Sequence, residues 1–144
     1  MVKTLPLTSR SLPIALLRAR EKVMGPIRGV LSDVGVTEQQ WRVLRVLQEE
    51  GAQEPTQIAE RACLLLPSLT RILKKLEDKK LIIRRADTQD RRRQIVEITN
   101  DGLQIIHTNL QEMLQLAEHT RALMGAERHE LLLNLLGELH EIED

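Results

Sequence analysis

Apolar side chains recur at three- and four-residue steps through most of this chain, the spacing that lines one face of an α-helix. Residues 1–10, with Pro6, read as a loose arm. Leu12, Ala15, Leu16, Ala19 and Val23 open a first helix. Gly25-Pro26 is expected to kink or interrupt it, because proline lacks an amide hydrogen and crowds the preceding turn. Ile27, Val30, Leu31 and Val34 then resume the stripe. Thr37-Glu-Gln-Gln40 has the form of a capping box and starts a second helix, with Trp41, Leu44 and Leu47 facing inward and Gly51 as its end. Pro55 starts a short third helix that runs to about Ala62 and buries Ile58 and Ala59. Pro67 falls in the first turn of a fourth, where a missing amide hydrogen costs little. There Leu69, Ile72, Leu73 and Leu76 form the apolar face, leaving Ser68, Thr70, Arg71, Lys74 and Lys75 facing out.

The period then changes. Leu81-Ile82-Ile83-Arg84-Arg85 is strand-like, and Gln94-Ile95-Val96-Glu97-Ile98 is a second, alternating β-branched run. Ala86 to Arg93 joins them as an eight-residue hairpin tip. Two strands alone are marginal and need helices beside them. Thr99 is expected to cap one long helix carrying Leu103, Ile106, Leu110, Met113, Leu114 and Ala117. Gly125 breaks the chain before a last helix with Leu131, Leu132, Leu133, Leu135, Leu136, Leu139 and Ile142, more apolar surface than one packing face requires. The pattern predicts a mainly α fold. It is a winged helix-turn-helix with a two-stranded β-hairpin wing, flanked by long N- and C-terminal dimerisation helices. The expected divisions are 1–34 (arm and dimerisation helix), 35–100 (winged helix-turn-helix) and 101–144 (C-terminal dimerisation helices).

Charge sharpens this picture. The chain balances at 21 basic and 21 acidic residues, yet residues 61–93 hold eleven Lys/Arg against four Asp/Glu, a surplus of seven. Residues 94–144 hold two against ten. Basic charge is therefore gathered onto the fourth helix and the hairpin, as a phosphate-facing patch requires. A short polar helix of that kind fits a DNA major groove, and an arginine-tipped hairpin can reach the neighbouring minor groove. The plain alternative is that Lys74, Lys75, Lys79 and Lys80 only solvate a helix end. Paired recognition helices roughly 34 Å apart would read a palindrome, so a homodimer suits both the DNA and the leucine excess.

Composition excludes other classes. No apolar run approaches the roughly 20 residues that cross a bilayer. Leu12–Leu17 is too short for a signal peptide and is followed by Arg18-Ala-Arg20-Glu21. The single cysteine, Cys63, forms no internal disulfide, which suits a reducing cytoplasm, and its apolar neighbours suggest a buried thiol. His107, His119, His129 and His140 are scattered, without paired carboxylates, a phosphate loop or zinc-ligand spacing, so neither enzyme, metal site nor cofactor is expected.

Thr37 to Gly102 resembles the MarR family of winged-helix repressors. The residues that carry the resemblance are Ile58-Ala59, Ser68-Leu-Thr-Arg71, Leu76-Glu77, Leu81-Ile82, Asp87-Thr-Gln-Asp90-Arg91-Arg92 and Ile98-Thr99-Asn-Asp-Gly102. One departure is Gln89, where the wing motif often has arginine. Within the family, Leu12–Glu21, Thr37–Arg45 and Arg61–Thr70 are similar to regulators of homoprotocatechuate (4-hydroxyphenylacetate) degradation operons.

Ser68, Thr70 and Arg71 lie near the start of the fourth helix, where side chains meet base edges, and Lys74 and Lys75 suit phosphates. The resemblance implies Arg92 in the minor groove, Arg91 or Arg93 on the backbone, and Asp90 (with Asp87) holding the arginines through ion pairs. It also implies a small phenolic or aromatic acid where the first, second and fifth helices meet, with Arg18, Arg42 or Arg45 for its carboxylate, Trp41 as a flat wall and His107 as a donor. Plainer roles stand beside these: Trp41 as core, His107 as a structural histidine, Arg42 and Arg45 as surface charges or dimer contacts. The alternatives are a winged-helix regulator answering to redox, metal or another small molecule, or a helical dimerisation adaptor, which leaves the arginine hairpin unexplained.

Overall fold

The structure, a computed structural model, describes residues 3–143. These fall into two compact units: Ile27–Leu110, and the chain ends up to Pro26 and from Gln111. The helices are α1 (Leu12–Asp33), α2 (Glu38–Glu50), α3 (Pro55–Arg61), α4 (Leu66–Asp78), α5 (Asn100–Thr108), α6 (Leu110–Met124) and α7 (Ala126–Glu141); β1 (Ile82–Ala86) and β2 (Gln94–Ile98) lie between α4 and α5.

Unit Ile27–Leu110 is a winged helix-turn-helix. Its core is aliphatic: Leu31, Val43, Leu44, Leu47, Ile58, Leu69, Leu73, Leu76, Ile82 and Val96 are essentially without accessible surface. Thr37 caps α2 by accepting from the Gln40 amide at 3.1 Å, while the Gln40 side chain accepts from the Thr37 amide at 3.2 Å. Three helices end alike. After α1, α3 and α4 the chain passes through a left-handed residue, Gly35 (φ 69), Cys63 (φ 55) and Lys80 (φ 63) respectively. In each case the next amide (Val36, Leu64, Leu81) bonds back five residues to Leu31, Ala59 and Leu76, the Schellman arrangement that satisfies terminal carbonyls.

The wing is an antiparallel pair running from Ile82↔Ile98 to Ala86↔Gln94. A third, one-residue partner reinforces it. Gln53 pairs with Val96 through two backbone bonds of 3.0 and 2.8 Å. The Gln53 side chain is buried: its amide donates to the carbonyls of Val46 (3.3 Å) and Gly51 (2.9 Å), and its oxygen accepts from Arg61. The segment before α3 thus ties α2, α3 and β2 together. On the other strand, Arg84 of β1, the register partner of Val96, donates to Glu77 on α4 at 2.9 Å. That hydrogen bond holds the Glu77 carboxyl below its ordinary value and the Arg84 guanidinium above its own.

Several expectations need correction. Helix α1 runs unbroken through Pro26. Proline's φ already suits a helix, and only the bond to the Lys22 carbonyl is lost, on an exposed surface. The helix after Thr99 is not single: it breaks at Asn109, whose buried side-chain amide donates to the Ile105 carbonyl at 2.8 Å in place of its own backbone amide. The hairpin tip is residues 87–93, one shorter than expected, because Ala86 pairs with Gln94. Cys63 is exposed rather than buried, since it occupies the left-handed turn between α3 and α4.

The unit formed by the chain ends is different in kind. None of its described residues is buried, and the leucines of α7 from Leu131 to Leu139 retain 38–55% of their accessible surface.

Two outcomes follow. A Cβ on Gly102 would stand 2.4 Å from the Leu81 carbonyl oxygen and 2.6 Å from Ile98 Cγ1, so Gly102→Ala should cost about 1–3 kcal/mol despite alanine's better helix propensity, read by urea denaturation. Because the Glu77 carboxyl is lowered in the fold, its contribution is present above the ordinary carboxylate value of 4.5 and fades as pH falls through the lowered one. Glu77→Gln should therefore melt below wild type at neutral pH, and the gap should close in acid.

Candidate nucleic-acid interface

Helix α4 begins without a side-chain cap: Leu65 is the N-cap and Pro67 sits within the first two positions. Its leading amides and the positive end of its dipole are left for an outside acceptor. Arg71, Lys74 and Lys75 are exposed along its outer face, and Ser68 is half-buried. Thr70 turns its hydroxyl back to donate to the Leu66 carbonyl at 3.1 Å, leaving its oxygen free to accept. Ser68, Arg71 and Lys75 line a concavity of about 250 Å³ with Thr37, Gln39, Gln40 and Ile72. The start of α2 therefore stands beside the start of α4. Sequence reasoning treated Thr37–Gln40 only as a cap, and it missed Gln39 as an exposed polar group in this concavity. No linear signal places two helix starts together.

The wing tip is shaped by its aspartates, though not as expected. Asp87 accepts from the Gln89 amide at 3.3 Å and Asp90 from the Arg92 amide at 3.1 Å. Backbone bonds from Asp87 to Arg93 (2.9 Å) and from Arg93 to Asp90 (3.0 Å) close the turn. Asp90 and Asp87 thus organise main chain and form no ion pair with the tip arginines. Carboxylate partners come from elsewhere: Glu77 for Arg84, Glu97 for Arg85 at 3.6 Å, and Glu54, just before α3, for Arg93. These arginines surround a concavity of about 330 Å³ together with Arg91 and Arg92.

Counter-charge divides the basic residues into two sets. Among the described residues, Arg71, Lys75, Arg91 and Arg92 have no ion-pair partner, and Lys74 has only a 4.0 Å contact with Asp78 one turn away. Unpaired cations on a rigid helix and on an ordered turn are what phosphate oxygens and base edges recognise without first breaking an ion pair.

Within the unit Ile27–Leu110 the effector candidates Trp41, Arg42, Arg45 and His107 have separate surroundings. Trp41 is core, at 8% exposure. Arg42 donates to the carbonyls of Ala62 (2.7 Å) and Cys63 (3.4 Å), bracing the turn between α3 and α4. Arg45 pairs with Glu49 at 2.6 Å on the exposed face of α2. Arg18 is exposed on α1 in the other unit. His107 lines a cavity of about 420 Å³ with Gln48, Asn100, Leu103, Gln104, Ile106 and Leu110; neither Trp41, Arg42 nor Arg45 is among its walls. Among the described residues no group of three His, Cys, Asp or Glu is placed to hold a metal ion, and no helix is long and apolar enough to cross a membrane.

Comparison with known proteins agrees with this geometry. A family model described as MarR family matches residues 36–93. Over 134 residues the chain is 37% identical to the HTH-type transcriptional regulator FarR of Neisseria gonorrhoeae, covering 93% of this chain and 92% of that one. Over 129 residues it is 37% identical to the homoprotocatechuate degradative operon repressor of Escherichia coli, covering 89% and 86%. The crystal structure of NadR in complex with 4-hydroxyphenylacetate is 34% identical, with a TM-score of 0.84 over 99% of this chain and 100% of that one. The chain belongs to the MarR family of winged-helix transcriptional regulators, and it is not an enzyme.

Proposed function

We propose that this protein is a cytoplasmic homodimeric repressor that binds a palindromic operator and is released by a small phenolic acid. The observation that carries the DNA half is the set of unpaired cations, Arg71 and Lys75 on α4 and Arg91 and Arg92 on the wing. In this reading residues 35–100 bind DNA. Ser68, Thr70 and Arg71 meet base edges, Lys74 and Lys75 meet phosphates, and Arg92 enters the minor groove with Arg91 on the backbone. Residues 1–34 and 101–144 join the subunits. The support is that the chain ends hold no core of their own, while α7 exposes leucines from Leu131 to Leu139 along its length. A second copy offers the same apolar surface, and a symmetric pair sets two recognition helices against two half-sites.

The effector half rests on relatives: one is named for the homoprotocatechuate degradative operon and another is crystallised with 4-hydroxyphenylacetate. The cavity beside His107 suits an aromatic acid in size, with Leu103, Ile106 and Leu110 for a ring and His107, Gln48 and Gln104 as polar partners. A ligand that binds one dimer geometry better than the other shifts recognition-helix spacing by that difference in affinity.

A gel shift on duplex from upstream of the protein's own gene and its neighbours tests the whole reading. Retardation that weakens steeply between 50 and 200 mM salt, through counterion release, and that 4-hydroxyphenylacetate reverses is expected. Binding insensitive to salt would sink it. Because Cys63 is exposed, the same gel is run reduced and with peroxide. Oxidative release in wild type but not in Cys63→Ser would move the signal from phenol to thiol.

Two further outcomes are specific to residues. Arg92→Ala should weaken operator binding by about 1–3 kcal/mol at matched salt, with its melting temperature unchanged. Trp41 is the sole aromatic residue, so its fluorescence reports one site. It should respond to 4-hydroxyphenylacetate, and that response should be reduced in His107→Ala. Silence in both fluorescence and calorimetry across hydroxyphenylacetates would remove the phenolic effector.

A further inference from the structure

The wing and its surroundings present five arginines, Arg84, Arg85, Arg91, Arg92 and Arg93, around one concavity. Like charges this close repel, and three carboxylates answer them. Glu77 takes Arg84 and Glu97 takes Arg85. Glu54 takes Arg93, and among the described residues this is the ion pair that joins the end of the tip to the helix-turn-helix. Glu54 is well placed to hold it. It follows Gln53, whose backbone pairs with Val96 on β2 and whose buried side chain bonds α2 and α3. The Glu54 amide is itself held by the Gln57 side chain at 3.2 Å, and its carboxylate side chain is only 27% exposed. On the other side, the Arg93 main chain closes the tip through both its amide and its carbonyl.

We propose that Glu54 and Arg93 form a latch that sets the angle of the wing, and that Arg93 is a positioning residue rather than a DNA contact. The latch clamps the last residue of the tip to the start of α3, leaving Arg91 and Arg92, two and one residues earlier, as the cations that the wing presents. This assigns to Arg93 a role opposite to that implied by its place in the arginine run. It rests on the DNA-binding reading, but the latch itself exists in the free protein and can be tested there.

Two measurements decide it. Amide hydrogen exchange on the DNA-free protein follows residues 88–94 in wild type, Glu54→Gln, Arg93→Ala and Arg92→Ala. Faster exchange is expected in the first two variants and not in Arg92→Ala. No change in Glu54→Gln or Arg93→Ala overturns the latch whether or not the protein binds DNA. Operator affinity is then measured from 50 to 200 mM salt. Arg93→Ala and Glu54→Gln should each weaken binding about two- to fivefold, the range of an exposed ion pair, with the double variant no worse than either. The dependence of log K on log salt should keep the wild-type slope in all three, and Glu54→Arg combined with Arg93→Glu should recover most of the loss. A phosphate contact behaves otherwise: Arg93→Ala would reduce the slope by about 0.9, and Glu54→Gln would tighten binding by releasing the arginine. Either of those results overturns the proposal.

Discussion

The recognition helix can present charge to DNA only because its other face is fully withdrawn from water. Leu69, Leu73 and Leu76 on α4 retain at most 1% of their surface, packed in one core with Val43, Leu44 and Leu47 of α2 and Ile58 of α3. Arg71, Lys74 and Lys75 project from the opposite side of the same two turns. Burying each leucine contributes roughly 1.5–3 kcal/mol, far more than one exposed cation stands to lose in a groove it does not occupy. The core therefore sets the direction of the charged face, and with no phenylalanine or tyrosine in the chain it does so almost wholly with aliphatic side chains.

Electrostatics then selects among the basic residues. A count of lysines and arginines treats the surplus in residues 61–93 as uniform, but the folded unit does not. Arg84, Arg85 and Arg93 are answered by Glu77, Glu97 and Glu54, while Arg71, Lys75, Arg91 and Arg92 are not. Glu77 and Glu54 tie the wing to α4 and to the start of α3, Glu97 joins its two strands, and the unpaired set is left for a ligand. Asp87 and Asp90 serve a third purpose, folding the tip by accepting backbone amides. One stretch of sequence with a single apparent property thus performs three tasks.

The two units differ in how they withdraw apolar surface from water. Ile27–Leu110 closes a core within one chain. The chain ends do not, because α6 and α7 bury none of their described residues. Their boundaries coincide with two local departures from helical bonding, Pro26 within α1 and Asn109 between α5 and α6.

Local signals were enough for most of the winged helix. The capping box at Thr37, the prolines that begin α3 and α4, the α4 stripe and the alternation of β2 all act within a few residues, so the linear chain carries them. Pro26 does not interrupt α1, because proline's local cost is outweighed by the helix on either side, and the break at Asn109 depends on one side-chain amide reaching one carbonyl. What the sequence by itself determined is periodicity, the sorting of charge and membership of a family, since each is a property of neighbours along the chain. Which arginine meets which carboxylate, that Gln39 stands beside Arg71, that Arg42 braces a turn and that Cys63 faces outward were decided only by tertiary structure. Coulombic and hydrogen-bond partners are chosen by distance in space, and chain closure brings together residues as far apart as Glu54 and Arg93.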